Sequence, residues 1–161
     1  MKIRVKYHDE KMPRFEQIEK GNWIDMRIIG GKINGKPIEF IKDEIHNIEY
    51  FKYKQGDFMM LNLGVSIEIP KGWEVNIVPR SSTFKNYGVI QTNHFGVGDD
   101  TFVGDNDVYH FPCYALKDGM ITKYDRVCQF RLNEKMEFLE IEEVESLKNE
   151  SRGGFGSTGT K

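Results

Sequence analysis

The sequence contains no apolar run that approaches the roughly 18 to 20 residues of a membrane-spanning helix. Its beginning, MKIRVKYHDEK, alternates polar and apolar residues and lacks the apolar centre of a secretory signal. Cysteine is equally scarce, because Cys113 and Cys128 are the only two and neither belongs to a CxxC pair. Secreted disulfide-stabilised domains are far richer in cysteine. We therefore predict a soluble protein with two small apolar core cysteines in a reducing compartment, by default the cytoplasm.

The chain also lacks a large net charge of either sign. The formal net charge is −2 at pH 7 and the pI is about 6.1. Proteins that bind nucleic acid usually present a basic face, which this composition does not favour. We predict neither nucleic acid nor a membrane as a partner, whereas a small anionic ligand would need only a few well-placed cations.

Several common catalytic signatures are absent. The four histidines are scattered without zinc-site spacing, and there is no GxSxG elbow. GFGSTG near the C-terminus matches the GxGxxG dinucleotide pattern, but only two residues follow it, so no helix can point at a pyrophosphate. His110 and Cys113 stand close in sequence, but they lie in an apolar strand-like run and are predicted to be core residues.

What the sequence does contain is a series of short strand-like runs separated by Gly, Asp or Lys turns. They are KIRVKY, DFMMLNLGV, SIEIP, WEVNIVP, NYGVIQTN, DVYHFPCYAL, DRVCQFRL and EFLEIEEV. SIEIP and WEVNIVP are predicted to pair as a hairpin, and only EKMPRFEQIEKG has helical spacing. The pattern predicts an all-β barrel, sandwich or jelly roll over residues 1–150. Residues 151–161, rich in glycine and hydroxyl groups, are predicted to form a flexible C-terminal segment.

Four aspartates fall within FGVGDDTFVGDNDVY, residues 95–109. A calcium loop is excluded because no register places oxygen ligands and glycine at the required positions. Acids beside glycines commonly accept backbone hydrogen bonds in turns, the role we predict for Asp100, Asp105 and Asp107. Asp99 is left without a role by this argument.

Three further stretches carry groups suited to phosphate oxygens. In VPRSSTFKNYG, the guanidinium of Arg80 and the hydroxyls of Ser81 and Ser82 could bind phosphate, or one serine could cap a helix. In KYDRVCQF, Asp125 and Arg126 precede a strand with Gln129, which could also be an ordinary turn and edge strand. In the C-terminal segment, glycine amides near Arg152 could surround a phosphate, or the segment could simply be a disordered end.

Together these stretches resemble the five motifs of the trimeric dUTP diphosphatase family, in sequence and spacing. The matching segments are GNWIDMR, PRSSTFKNYG, GVGDDTFVGDND, YDRVCQ and RGGFGSTG, which run from Gly21 to Gly159. Their variants are most similar to the subgroup of Gram-positive bacteria and their phages. The resemblance implies a distorted β jelly-roll barrel, a homotrimer with interfacial active sites, dUTP as substrate, Mg²⁺ as cofactor and a C-terminal lid.

The resemblance also assigns roles to residues. Asp99 would be the general base that activates water. The substrate would be bound by Arg80, Ser81, Ser82, Asn93, Gly96, Phe102, Gln129, Arg152, Phe155, Gly156, Ser157 and Thr158. Asn93 belongs to a hairpin that recognises uracil, and Phe102 takes the place of a tyrosine beneath the deoxyribose. No side chain would bind the metal directly, and Asp25 and Gln129 would contact its waters.

One departure from the family pattern stands next to the predicted base. Gly98 replaces a bulky aliphatic residue, which should loosen the backbone that holds Asp99. Two alternative functions remain open from sequence. One is a dCTP deaminase-like enzyme, which shares the fold and the second motif. The other is a phage protein of the same fold that acts by binding a host regulator.

Overall fold

The computed structural model describes residues 1–154, and its regular structure is almost entirely β. The strands are β1 (Arg4–Tyr7), β2 (Ile24–Arg27), β3 (Gly30–Ile33), β4 (Lys36–Pro37), β5 (Ile41–Asp43), β6 (Ile48–Tyr53), β7 (Phe58–Asn62), β8 (Val65–Glu68), β9 (Trp73–Pro79), β10 (Val89–Gln91), β11 (Gly96–Gly98), β12 (His110–Ala115), β13 (Gly119–Thr122) and β14 (Arg126–Glu134). A short helix, α1 (Thr83–Tyr87), lies between β9 and β10. The prediction of an all-β fold is confirmed. Among residues 1–154, no helix has the length and apolar character needed to span a membrane.

These strands form four antiparallel sheets. Their orders are β1-β8, β10-β12-β7-β3-β4, β11-β9-β14-β2 and β13-β6-β5. The four-stranded sheet matters most for function, because β14 pairs with β9 on one side and with β2 on the other. This arrangement brings together the ends of strands that are far apart in sequence.

The core is built from the inward faces of these strands. In β12, Phe111, Cys113 and Ala115 are buried, whereas the intervening residues point outward, as the period of two requires. Cys113 and Cys128 are both free and buried, as predicted, and burial raises the pKa of the Cys113 thiol to about 12. His110 is exposed, so its prediction as a core residue was wrong. The same alternation that buries Cys113 turns His110 outward.

The predicted hairpin between SIEIP and WEVNIVP was wrong in its pairing. Both segments are strands, but β8 pairs with β1, and β9 pairs with β11 and β14. The turn at residues 70–72 therefore carries the chain from one sheet to another. Period-two alternation identifies a strand without specifying its partner.

The helix suggested by EKMPRFEQIEKG is also absent from the structure. Met12 is buried and Phe15 packs against Phe130 at a ring-centroid distance of 5.0 Å. The backbone N–H of Phe15 donates to the Tyr7 hydroxyl at 2.8 Å. The apolar residues enter the core individually from an irregular segment, which produces helix-like spacing without a helix.

The strand predicted at EFLEIEEV does not form either. Regular structure ends at Glu134, and residues 135–154 include none of the strands. Their apolar side chains are uncovered, with Phe138 99% and Ile141 87% exposed. A strand needs a partner for its backbone groups, and no strand within residues 1–154 pairs with this segment.

Candidate active site

Two arginines converge on one aspartate at an edge of the four-stranded sheet. The Nε of Arg80 lies 2.7 Å from Asp25 Oδ1, and Nη1 of Arg126 lies 3.1 Å from Asp25 Oδ2. We call these three residues the arginine cluster. Asp25 lies in β2, Arg80 directly follows β9 and Arg126 begins β14. Each arginine uses only part of its guanidinium on Asp25, so further N–H donors can face an anion.

The turn that carries Arg80 is fixed by Thr83. Its hydroxyl accepts the Arg80 backbone N–H at 2.8 Å and donates to the Val127 carbonyl at 2.8 Å. Because Thr83 is buried, it ties the start of α1 to β14 and holds Arg80 beside Asp25. The arginine thus projects from a fixed backbone, which lowers the entropic cost of binding a ligand.

The two serines follow Arg80 at the entrance to α1. Ser82 occupies the N-cap position but makes no side-chain capping hydrogen bond. Neither serine hydroxyl has a hydrogen-bond partner within residues 1–154. The helix-capping alternative is therefore wrong for their side chains, and both hydroxyls are available next to the arginine cluster.

Gln129 in β14 and Asp25 in β2 are neighbours on adjacent strands. They lie opposite each other in the register of β14 and β2. Gln129 Nε2 donates to the Pro79 carbonyl at 3.1 Å, which leaves its Oε1 as the free end of the amide. Within residues 1–154, no three His, Cys, Asp or Glu side chains are grouped as a metal site.

A second group of predicted residues lines a pocket of about 240 Å³ around the β10–β11 connection. Its walls include Ile77, Asn93, Gly96, Phe102 and Tyr109. Phe102 is 37% exposed and meets the ring of Tyr109 edge-on, with centroids 5.2 Å apart. We call this the nucleoside pocket because it is concave, partly aromatic and edged by an amide side chain.

Asp99 lies directly after β11 and is exposed. Its Oδ1 accepts the hydroxyl of Thr101 and the Thr101 backbone N–H. These two hydrogen bonds favour the charged form and hold the pKa of Asp99 below its usual value. The side chain is therefore a carboxylate at neutral pH and can accept a proton.

The neighbouring acids mostly stabilise turns, as predicted. Asp100 accepts the Gly72 backbone N–H at 2.8 Å, and Asp107 accepts the Gly104 backbone N–H at 2.7 Å. The side chain of Asp105 instead forms an ion pair with Lys6 at 3.3 Å, so its predicted turn-capping role was wrong. Lys6 lies in β1, far from this loop in sequence, so no local pattern indicated the ion pair.

Tyr109 explains the unusual glycine before Asp99. A Cβ atom added at Gly98 would lie 2.2 Å from the Tyr109 hydroxyl and 2.5 Å from its Cε1. The phenol ring is 5% exposed and fills the space that a side chain at position 98 would need. The backbone before Asp99 is therefore supported by packing against Tyr109, which offsets the freedom expected of glycine.

We expect Gly98→Ala to destabilise the protein by about 1–3 kcal/mol, because it overpacks Gly98 against Tyr109. Chemical denaturation would measure the loss. Gly96→Ala is a graded control on the same face of β11, since its Cβ would lie 3.1 Å from the Ile77 side chain. In a Tyr109→Val background, Gly98→Ala should cost less. Equal costs in both backgrounds would show that the ring is not what excludes a side chain at position 98.

The arginine cluster and Asp99 do not meet within one chain. Gly98 pairs with Val75 across β11 and β9, and Arg80 is five residues after Val75, just past the end of β9. At about 3.3 Å per residue, roughly 16 Å of strand separates them. A single chain thus presents the two parts of the predicted site at different places.

The C-terminal residues are only partly described. Arg152 is exposed and makes no ion pair within residues 1–154. Phe155, Gly156, Ser157 and Thr158 lie outside the described residues. Their predicted roles rest on sequence alone.

Two residues that matter for this geometry, Tyr109 and Gln91, received no role from sequence. Arg126 was named with Asp125 and Gln129 in a stretch that could bind phosphate, but it was not assigned to the predicted site. Tyr109 could have been suspected from the glycine at position 98, since a missing side chain implies a large neighbour. Gln91 is a polar residue at an inward position of an otherwise apolar strand, and it is buried.

The sequence is similar to known proteins over its full length. Residues 45–159 match the dUTPase family. The chain is 45% identical to the SPbeta prophage-derived deoxyuridine 5'-triphosphate nucleotidohydrolase of Bacillus subtilis strain 168, over the full length of both proteins.

Solved structures show the same fold. A variant of the Staphylococcus bacteriophage 80alpha dUTPase with dUpNHpp has a TM-score of 0.69 and 14% identity over 98% of each chain. A variant of the dUTPase from S. aureus phage phi11, in which a structural Mg(II) ion is coordinated, has a TM-score of 0.65 and 11% identity over 92% of this chain and 100% of that one. On the strength of the family match and the full-length relative, the chain belongs to the dUTPase family.

Proposed function

We propose that this dUTPase hydrolyses dUTP to dUMP and pyrophosphate with Asp99 as general base. Asp99 takes a proton from a water molecule, whose oxygen attacks the α-phosphorus in line with the leaving group. The bond from the α-phosphorus to the bridging oxygen then breaks, and pyrophosphate leaves with that electron pair. The position of the exposed Asp99 carboxylate directly after β11, beside the pocket that Phe102 and Tyr109 line, is the observation that carries this proposal. The reaction would limit uracil in DNA and supply dUMP for thymidylate synthesis.

The arginine cluster would bind the triphosphate. Arg80 offers a planar fork of donors, and the free hydroxyls of Ser81 and Ser82 stand beside it. Asp25 keeps Arg80 and Arg126 close together without neutralising both positive charges. Charge that develops on the leaving pyrophosphate would be stabilised by groups already in place.

The nucleoside pocket would hold the base and sugar. Asn93 and Gly96 belong to the connection that forms its rim, and Phe102 offers a ring to the deoxyribose. A ring packed against the sugar leaves no room for a ribose 2′-hydroxyl. A rim that matches the hydrogen-bond pattern of uracil would reject cytosine by leaving polar groups unpaired.

Magnesium fits this donor set as a cofactor that arrives with the substrate. Asp25 and Gln129 face each other across the strands, and the free Oε1 of Gln129 can accept a hydrogen bond from a metal-bound water. The ion itself would be held mainly by phosphate oxygens, as Mg²⁺ commonly is. When bound, Mg²⁺ would supply charge neutralisation at the phosphates.

The separation of Asp99 from the arginine cluster supports sites shared between subunits. If each site combines the arginine cluster of one subunit with the nucleoside pocket and Asp99 of another, the gap along β9 no longer matters. The uncovered apolar side chains of residues 135–154 also favour contact with neighbouring chains. We further propose that residues 1–150 form the catalytic domain and that residues 151–161, including Arg152, form a lid over the site.

We expect a homotrimer in solution, because a closed threefold assembly can complete three equivalent sites. Light scattering should give a mass of about 56 kDa, three times the 18.8 kDa of one chain. The measurement should be repeated over a wide range of protein concentrations. A monomer with full activity would refute both the assembly and the shared site.

The position of attack can be tested with isotopically labelled water. Hydrolysis of dUTP in H₂¹⁸O should place the label in dUMP, because the water oxygen bonds to the α-phosphorus. Mass spectrometry of the two products distinguishes the alternatives. Label in pyrophosphate would show attack at the β-phosphorus and would refute the proposed attack at the α-phosphorus.

A further inference from the structure

Gln91 is a buried polar residue at the base of the nucleoside pocket's rim. It ends β10, two residues before Asn93, and its side chain is 4% exposed. Its Nε2 donates two hydrogen bonds, to the Ile77 carbonyl at 3.1 Å and to Asn93 Oδ1 at 2.8 Å. Gln91 therefore links the backbone of β9 to the side chain of a residue that lines the pocket.

These contacts determine the orientation of both amides. A backbone carbonyl can only accept, so the nitrogen of Gln91 must face Ile77. The second hydrogen of that nitrogen then requires an acceptor, which makes the oxygen of Asn93 the end that faces Gln91. The NH₂ group of Asn93 is left as the end of its side chain that can meet a ligand.

This arrangement comes at a cost to the fold. Gln91 Oε1 is buried and has no hydrogen-bond partner within residues 1–154, where the only other such side-chain atom is the Tyr109 hydroxyl. An unpaired buried acceptor destabilises a protein, and a methionine of similar length would avoid it. The two hydrogen bonds from Nε2 offset part of that cost, and their directional effect is to orient Asn93.

We infer that Gln91 is a positioning residue for base selection, a role that rests on the proposed binding of the uracil base in this pocket. By holding Asn93 with its NH₂ toward the ligand, Gln91 presents a donor to the 4-position of the base. Uracil carries a carbonyl acceptor there, whereas cytosine carries an amino group that is itself a donor. The fixed amide thus favours the first base and opposes the second.

The test compares kcat/KM for dUTP and dCTP in two variants. In Gln91→Glu, the buried carboxyl group is expected to keep its proton and donate it to the Ile77 carbonyl, so the same oxygen accepts from the NH₂ of Asn93. The Asn93 amide then turns and presents its oxygen to the base. We expect the dUTP preference over dCTP to fall by roughly tenfold or more. In Gln91→Met the Asn93 amide is free to turn. The enzyme should then bind dUTP less tightly, which would appear as a higher KM with little change in kcat.

A variant that lacks the Asn93 amide shows whether Gln91 acts by orienting Asn93 or only by packing. In Asn93→Ala, neither change at Gln91 should alter the dUTP to dCTP ratio further, because the group that Gln91 orients has been removed. Thermal melting of every variant checks folding, and Gln91→Met should melt close to the parent. If Gln91→Met folds and both its KM for dUTP and its base preference equal the parent's, the inference is overturned.

The two failures are distinguishable. A parent enzyme that does not hydrolyse dUTP refutes the proposed function. A parent that hydrolyses dUTP selectively, with folded Gln91 variants equally selective in the presence of Asn93, refutes only the role of Gln91. Loss of selectivity that persists unchanged in the Asn93→Ala background would also overturn it, because Gln91 would then act by another route.

Discussion

Asp99→Asn is expected to lower kcat by roughly 10²–10⁴, the usual contribution of a general base. The amide preserves the shape of the side chain, and its oxygen can still accept the two hydrogen bonds from Thr101. What it loses is the ability to take a proton from water. The affinity for dUTP, measured by calorimetry with a non-hydrolysable analogue, should stay close to that of the parent.

Asp100→Asn is the matched control for this experiment. Asp100 is the next residue in the chain, and its side chain accepts the Gly72 backbone N–H, which an asparagine oxygen can also do. We expect little change in kcat. If Asp99→Asn retains most of its turnover while Asp100→Asn loses it, the base is Asp100 and the assignment is wrong.

Deletion of residues 151–161 is expected to lower turnover by roughly 10² or more, since phosphate donors and a cover over the site would be lost. The fold should survive, because residues 151–154 are exposed and the segment contains few apolar side chains. Thermal melting and steady-state kinetics with dUTP measure the two effects separately.

Shorter changes refine the second experiment. Removal of Thr160 and Lys161 alone should leave kcat nearly unchanged, because the predicted substrate contacts end at Thr158. Phe155→Ala should reproduce part of the full deletion's loss, since its ring is expected to stack on uracil. Unchanged kcat and KM after the full deletion would show that the segment is not a lid.

Many of the strands could be predicted from sequence, although β3 and β6 were missed and the run EFLEIEEV is not a strand, and strand partners could not be predicted. The apolar run around Cys113 correctly predicted a strand with Cys113 in the core, but it also wrongly placed His110 there, because alternate residues of a strand face opposite sides. The same alternation could not show that β8 pairs with β1, since pairing depends on the whole topology. The predicted helix failed for a related reason, as spacing alone cannot distinguish a helix face from separate insertions into the core.

The same limit applies to the site: residues within one short segment could be predicted, whereas contacts between distant segments could not. Arg80 was recognisable from a short stretch that combines a guanidinium with two hydroxyls, whereas Asp99 received its role only through the resemblance to the dUTP diphosphatase family. The ion pairs from Asp25 to Arg80 and Arg126 depend on β14 lying between β2 and β9, which no local pattern encodes. The Tyr109 ring occupies the space that a side chain at position 98 would need, and this contact likewise cannot be seen in the sequence.

Pyrophosphate release from dUTP, dCTP, dTTP and UTP, compared side by side with Mg²⁺, tests the proposed activity most directly. Release should be rapid from dUTP and slower by roughly 10²-fold or more from the other three. The uracil rim should disfavour the amino group of dCTP, the pocket should exclude the methyl group of dTTP, and Phe102 should exclude the ribose of UTP. Ammonia release from dCTP would instead support a deaminase-like enzyme, and equal release from all four, or none from dUTP, would contradict a dUTP-specific diphosphatase.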